Sequence, residues 1–189
     1  MKKGILFVFS GPSGSGKTTL AKEVVNEINN INFAISYTTR QKRDSEVDGK
    51  DYHFVNIQEF NEMIKNKKFA EWAEVFGNYY GTPLLEVNKA INNGSDVLLE
   101  IDVKGAKKIR NKFNDSIHVF IIAPDMKELR QRLEKRKTDS SDEIVKRLNI
   151  ADKEITEVEN YDYIIINEDL NQSFEEIRSI IETERSKIQ

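Results

Sequence analysis

The 189-residue sequence contains no cysteine. That absence excludes disulfides, zinc thiolates and cysteine nucleophiles. Histidine is nearly absent too: the only two are His53 and His118, far apart in the chain. His118 falls in the strand-like run 117–122 and His53 lies between Tyr52 and Phe54. Both read as packing or edge residues, because a metal centre needs more partners than these. No apolar run approaches the length of a membrane span. The N-terminus enters a strand almost at once, without the charged, apolar and small-residue segments of a signal peptide. An excess of one charge sign is also missing: 29 Lys and Arg stand against 32 Asp and Glu, a formal net charge of −3. There is no global basic excess to attract nucleic acid and no acidic tail. The expectation is a cytoplasmic protein with no nucleic-acid, membrane or obligate protein partner. Low-complexity linkers and internal repeats are absent as well. The length suits one α/β domain and is short for two.

Against these absences stands one dense motif. Gly11, Pro12, Ser13, Gly14, Ser15, Gly16, Lys17 and Thr18 fit the phosphate-loop pattern G-x-x-x-x-G-K-[ST] at every constrained position. Apolar residues Ile5 to Phe9 precede it as a buried-strand run. Leu20, Val24, Val25 and Ile28 follow at helical spacing. In that strand–loop–helix setting the glycines let successive N–H groups point inward, and the positive end of the helix completes an anion cradle. Lys17 would reach the outer phosphates of a nucleoside triphosphate, and the Thr18 hydroxyl would hold Mg²⁺. The motif alone leaves ATPase, GTPase and kinase equally open.

The rest of the chain alternates strand and helix. Strands are expected near 4–10, 33–37, 52–56, 97–101, 117–122 and 163–166, with strands and turns over 69–82. Helices are expected to about 29, near 57–67 and to about 136. Asp125 with Glu128, and Ser140 with Glu143, carry N-cap signatures. Ile144, Leu148, Ala151, Ile155 and Val158 continue a long helix after the second cap, and Phe174, Ile177, Ile180 and Ile181 make the terminal helix amphipathic. This rhythm implies a largely parallel sheet with right-handed crossovers. Residues 37–82 break it and read as an inserted substrate-holding subdomain. Residues 136–142, polar and apolar-poor, suit a mobile lid.

Inside the insert, Arg40 and Arg43 lie three apart with Ser36 and Tyr52 nearby. Two guanidinium forks and two hydroxyls suit a phosphate dianion, although composition alone favours a solvated charge cluster. Arg132 and Arg136, at i and i+4, share a helix face with Glu128 one turn before, the pattern of either a surface ion-pair ladder or a pair of phosphate-directed arginines.

This segment, with Glu71, Gly77-Asn78-Tyr79-Tyr80-Gly81-Thr82, Leu99-Glu100-Ile101-Asp102, Arg132, Arg136, Arg147 and Ile166-Asn167-Glu168-Asp169-Leu170, resembles guanylate kinase from about residue 4 to the end. The resemblance implies a P-loop NTPase-like α/β fold: a parallel sheet core flanked by helices (1–36, 83–126 and 160–189), a GMP-binding subdomain (37–82) and a helical lid (about 127–159). It implies phosphoryl transfer from ATP to GMP, and less well to dGMP, with Mg²⁺. Gly11 to Thr18, Thr19, Arg136 and Asn167 would bind ATP, Asn167 beside the adenine. Ser36, Arg40, Arg43, Tyr52 and Tyr80 would hold the GMP phosphate. Glu71 and Thr82 would read guanine beside Gly81 and Glu100, and Asp102 would lie near nucleotide and metal, reaching Mg²⁺ through water. Lys17, Arg43, Arg132, Arg136 and Arg147 would be catalytic. The base-reading role has a chemical reason: guanine offers two adjacent donors to a carboxylate, and adenine would face Glu71 with an acceptor. One position departs from the family: Lys137 follows Arg136 where glycine is usual, which implies a stiffer lid, a hinge elsewhere or an added cation. Two rival readings are a ribose-bisphosphate kinase, which needs no base-reading carboxylate, and a scaffold module that binds phosphopeptides on the same fold.

Overall fold

Five short strands pair side by side in the computed structural model, which describes residues 2–135 and 140–188. They are β1 (Leu6–Ser10), β2 (Ile31–Phe33), β7 (Asp96–Glu100), β8 (Ile117–Ile122) and β9 (Tyr163–Ile166). Their order is β2-β7-β1-β8-β9, and every pairing is parallel. Strands buried on both faces need helices on both sides, and the period-2 alternation assigns the residues. Phe7, Phe9, Leu98, Val119, Ile121 and Ile165 meet helices α1 (Lys17–Glu27) and α7 (Leu170–Lys187) through Leu20, Val24, Phe174, Ile177 and Ile181. Leu6, Val8, Val97 and Leu99 face the other way, onto Val87 of α3 (Leu84–Asn92) and Ala106 and Ile109 of α4 (Val103–Lys112). A buried carboxylate locks the C-terminal helix on: Asp96 accepts from the Ile5 amide and from Arg185 Nε, both at 2.7 Å.

The chain leaves this sheet after Phe33 and builds a second one, ordered β4-β3-β6-β5. It comprises β3 (Tyr37–Thr38), β4 (His53–Phe54), β5 (Phe69–Val75) and β6 (Asn78–Pro83). The single strand expected near 33–37 is thus two short strands in two different sheets. Ala34 still donates to Leu98 of the first sheet, while Ser36 already accepts from His53 of the second. Helix α2 (Ile57–Lys65) opens on an Asn56–Glu59 capping box, and its Phe60 ring stacks on Phe69 at 4.6 Å. Gly81 is required by this packing, because a Cβ there would stand 2.8 Å from the Phe69 ring.

Helices α5 (Met126–Lys135) and α6 (Ser141–Ile155) pack together through Leu129, Leu133, Ile144, Leu148 and Ala151. Both start where the caps foretell: Asp125 accepts from the Glu128 amide, and Ser140 and Glu143 form a capping box. The long helix ends at Ile155, so Val158 belongs to a separate 3-10 turn. Of the expected lid segment, Ser141 and Asp142 are already helical. Arg136 and Lys137 lie outside the described residues. His53 stacks on Tyr37 at 4.6 Å, and His118 is buried.

Candidate active site

The phosphate loop joins the carboxyl end of the central strand β1 to α1, in the crevice where ligands bind in open parallel sheets. Three of its glycines are required by conformation and space. Gly11, Gly14 and Gly16 have φ of +129°, +95° and +95°. A Cβ on Gly11 would stand 2.2 Å from the Ile121 carbonyl oxygen, and one on Gly16 would stand 2.2 Å from Asn167 Nδ2. Helix α1 has no side-chain cap and no acidic residue in its first turn. Its leading N–H groups and positive dipole end are thereby kept for an anion. Lys17 Nζ folds onto the loop itself, donating to the carbonyls of Gly11 (2.7 Å) and Pro12 (2.8 Å). Thr18 and Thr19 are exposed beside it.

Asn167 braces this loop from below. It is buried, its Nδ2 donates to the Ser15 carbonyl at 2.8 Å, and its Oδ1 accepts from Ser173 at 3.2 Å. Both ends of the amide are therefore engaged, one holding Ser15 and the other anchored by Ser173. Arg132 lies above, donating through Nε to Glu128 (2.8 Å) and through Nη2 to the Asn167 carbonyl (2.9 Å). The i, i+4 ion pair of Glu128 and Arg132 is formed, and Arg132 also holds Asn167, the residue that bonds the loop. Arg147, on α6, reaches the loop directly, with Nη1 donating to Ser13 Oγ at 3.0 Å.

The second cluster comes from the second sheet. Glu71 on β5 and Thr82 on β6 are opposed in the ladder. Both are buried, and Thr82 Oγ1 donates to Glu71 Oε1 at 2.7 Å. Ser36 Oγ is 3.4 Å from the same hydroxyl. Burial pushes the Glu71 carboxyl up to about 7; Asp102 adds to the rise, while the Thr82 bond and Lys108 oppose it. Gly105, in the first turn of α4, has no side chain because Glu71 Oε2 would lie 2.8 Å from its Cβ. Asp102 caps that helix by accepting from Gly105 N at 3.0 Å.

Arg40 and Arg43 are held by a residue the sequence reading did not single out. Glu46 accepts from Arg40 Nη2 at 2.6 Å and from the Arg43 amide at 2.8 Å. Burial raises the Glu46 carboxyl, but these bonds outweigh it and hold it below its ordinary range. The Arg40 guanidinium lies over the rings of Tyr52 (5.6 Å) and Phe54 (5.8 Å), and Tyr52 meets Tyr80 edge-on at 5.9 Å. The Arg43 side chain is exposed. Burial first, and then the nearby Glu100 carboxylate, raises the Tyr52 phenol. Glu100 therefore lies between the two clusters: its Oε1 also accepts from Thr18 Oγ1 at 2.6 Å. The only sequence signal for Glu46 was its place in a charged loop three residues after Arg43. Such loop contacts have no periodicity to betray them.

The oxygens at this junction fit Mg²⁺. Thr18 and Glu100 are hard donors, with Asp102 two residues further on. Among the described residues no group of three or more His, Cys, Asp or Glu side chains is placed to hold a metal ion. So sparse a set suits Mg²⁺, which commonly takes one or two protein oxygens and completes its shell with phosphate and water.

A donor-type phosphate loop thus faces a buried carboxylate–hydroxyl pair and an arginine–tyrosine cluster. The guanylate kinase family model matches residues 3–184. The chain belongs to the guanylate kinase family. It is a kinase, a phosphotransferase with a P-loop NTPase fold. The guanylate kinase of Caldanaerobacter subterraneus subsp. tengcongensis is 46% identical over 187 residues, covering 99% of this chain and 91% of that one. That of Lactococcus lactis subsp. lactis is also 46% identical, over the same shares of both chains. The crystal structure of guanylate kinase from Anaplasma phagocytophilum superposes with a TM-score of 0.82 at 35% identity, over 97% of this chain and 87% of that one.

Proposed function

We propose that this guanylate kinase transfers the γ-phosphoryl group of ATP to GMP, giving ADP and GDP in purine nucleotide metabolism, with dGMP a weaker acceptor. The observation that carries the assignment of the acceptor is the buried Glu71–Thr82 pair set across from the phosphate loop. A carboxylate there can accept from guanine N1–H and its exocyclic amine together, and the Thr82 hydroxyl, released from Glu71, can donate to O6. Residues 37–82 form the acceptor subdomain, 127–159 the lid, and the remainder the core.

Gly11 to Thr19 hold the ATP phosphates, with Asn167 fixing the loop's shape from beneath. Ser36, Arg40, Arg43, Tyr52 and Tyr80 hold the GMP phosphate, and Glu46 keeps the first arginine aimed. The attacking atom is a GMP phosphate oxygen, already anionic near neutral pH because a phosphate's second pKa is about 6. No general base is needed. The oxygen bonds to the γ-phosphorus as the bond to the β–γ bridging oxygen breaks, and ADP leaves with that oxygen's electron pair. Lys17, Arg132, Arg136 and Arg147 neutralise charge on the transferring group. Thr18, with Glu100 and Asp102 behind it, would hold Mg²⁺, which supplies further charge neutralisation on the phosphates. Arg40 and Arg43 keep the acceptor in line. Among the described residues no helix is long and apolar enough to cross a membrane, in keeping with work in the cytoplasm on soluble nucleotides.

The test is ADP formation from ATP and Mg²⁺ against a panel of nucleoside monophosphates. Turnover with GMP, weaker turnover with dGMP and none with AMP, CMP or UMP is the expected result. Equal use of AMP would overturn the acceptor assignment, and GMP binding without turnover would favour a scaffold role.

A further inference from the structure

The tip of the β5–β6 hairpin carries a residue that local chemistry disfavours. Val75 and Asn78 are directly paired, so Phe76 and Gly77 form a two-residue turn. Both have positive φ, 50° and 77°, as a type I′ turn requires. Asn-Gly or Gly-Gly satisfies that requirement easily, whereas a bulky side chain at φ > 0 is strained. The Phe76 ring does not offset the strain by joining a core. It is 46% exposed and belongs to none of the three apolar clusters.

What the ring does touch is a side chain from the opposite wall of the cleft. The Arg147 guanidinium carbon lies 4.6 Å from the Phe76 ring centroid. The same guanidinium donates to Ser13 Oγ in the phosphate loop at 3.0 Å. One planar cation therefore contacts three parts of the molecule: it stands on α6, bonds the donor loop and rests on the acceptor subdomain's hairpin. An arginine side chain loses much rotamer freedom when fixed. An aromatic face within about 6 Å is an electrostatic platform that removes part of that freedom beforehand.

We infer that Phe76 is a positioning residue for the phosphoryl-transfer step, acting through Arg147: its ring holds the lid arginine over the phosphate loop when the acceptor subdomain is in place. This rests on Arg147 being a phosphate-directed arginine. It explains why the turn tolerates a strained phenylalanine. It also makes correct placement of the arginine conditional on the subdomain that carries the acceptor.

The experiment compares Phe76→Asn, Phe76→Tyr, Arg147→Ala and the Phe76→Asn/Arg147→Ala double variant, using GMP and ATP–Mg²⁺ kinetics and thermal unfolding. Asparagine suits the turn, so Tm should stay level or rise. Its kcat should fall about 2- to 30-fold, the range of a cation–π contact from exposed to desolvated, with KM for GMP little changed. Phe76→Tyr should keep kcat near that of the parent, and the double variant should be no slower than Arg147→Ala. A parental kcat in Phe76→Asn alongside a slow Arg147→Ala overturns the inference, as does an additive loss in the double variant. A fall in Tm with unchanged kcat assigns the ring a merely structural role and also overturns it. A parental rate in Arg147→Ala itself overturns the underlying reading of that arginine.

Discussion

The role proposed for the Glu71 carboxyl makes GMP capture a proton-linked event. It lies at about 7 when the site holds no guanine, raised by burial and by Asp102 against the opposing Thr82 bond and Lys108. Only the ionised form can accept from both guanine donors, and that pairing favours the charge in the complex. Apparent affinity for GMP should therefore rise with pH through about 7 and level off above it. With half-protonation at pH 7, about one-tenth of the sites are ionised at pH 6 and nine-tenths at pH 8, so KM for GMP should fall roughly tenfold between them. Binding at pH 7 should release about half a proton, measured by titration calorimetry in two buffers of different ionisation enthalpy. The phosphate of GMP titrates near 6 and adds its own loss at the acid end. Glu71→Gln isolates that contribution, because it removes the carboxyl titration and leaves the phosphate's.

The same shift has a stability consequence of fixed sign. An acid whose folded pKa is raised from 4.5 to about 7 favours the folded state in its protonated form. That contribution is complete below pH 4.5 and disappears as pH rises through 7. The difference is about 3 kcal/mol at its limit. Glu71→Gln should then be more stable than the parent at pH 8 by about 1–3 kcal/mol while losing its preference for GMP over AMP. A KM that stays flat from pH 6.5 to 8, with no proton released on binding, would refute this account of the site.

Other substitutions probe the remaining parts. Lys17→Ala should lose most of kcat, about 10²-fold or more, and near-normal turnover would remove Lys17 from the donor site. Gly16→Ala should cost at least about 2 kcal/mol in unfolding free energy and raise KM for ATP, because the new Cβ collides with Asn167 Nδ2 at a left-handed backbone position. Unaltered denaturation and ATP kinetics would show that the loop is not held as described. Glu46→Ala should raise KM for GMP about tenfold with kcat less affected, since Arg40 loses the charge-assisted bond that aims it. An unchanged KM would show that Arg40 needs no such support.

The donor half of the site is legible in the sequence because its constraints are local. A glycine spacing, one lysine and one hydroxyl suffice once a strand precedes and a helix follows. Four of the five core strands are legible as apolar runs, whereas β2, only Ile31–Phe33 with a central Asn32, is not and was expected near 33–37; the caps at Asp125 and Ser140 fix two helix starts within a residue. Helices α3 and α4 were not placed. The first begins straight from the hairpin after Pro83, and the second buries only Gly105, Ala106 and Ile109 among its lysines. The acceptor half was nameable by resemblance alone, since Glu71 and Thr82 meet through an antiparallel register that no periodicity reports. Asn167 shows the same limit. Its motif position was visible, but its engagement with Ser15 and Ser173 depends on contacts with a loop 152 residues earlier.

That long-range brace bears on the order in which the chain acquires its activity during synthesis. The phosphate loop is synthesised well before Asn167, which lies 152 residues after Ser15, and before the helix behind it. A nascent chain that has already emitted Gly11 to Thr18 still lacks the amide that holds Ser15 and the strand that seats Asn167 beside β8. A product that ends before β9 therefore contains the entire motif but neither the amide nor the strand that brace it.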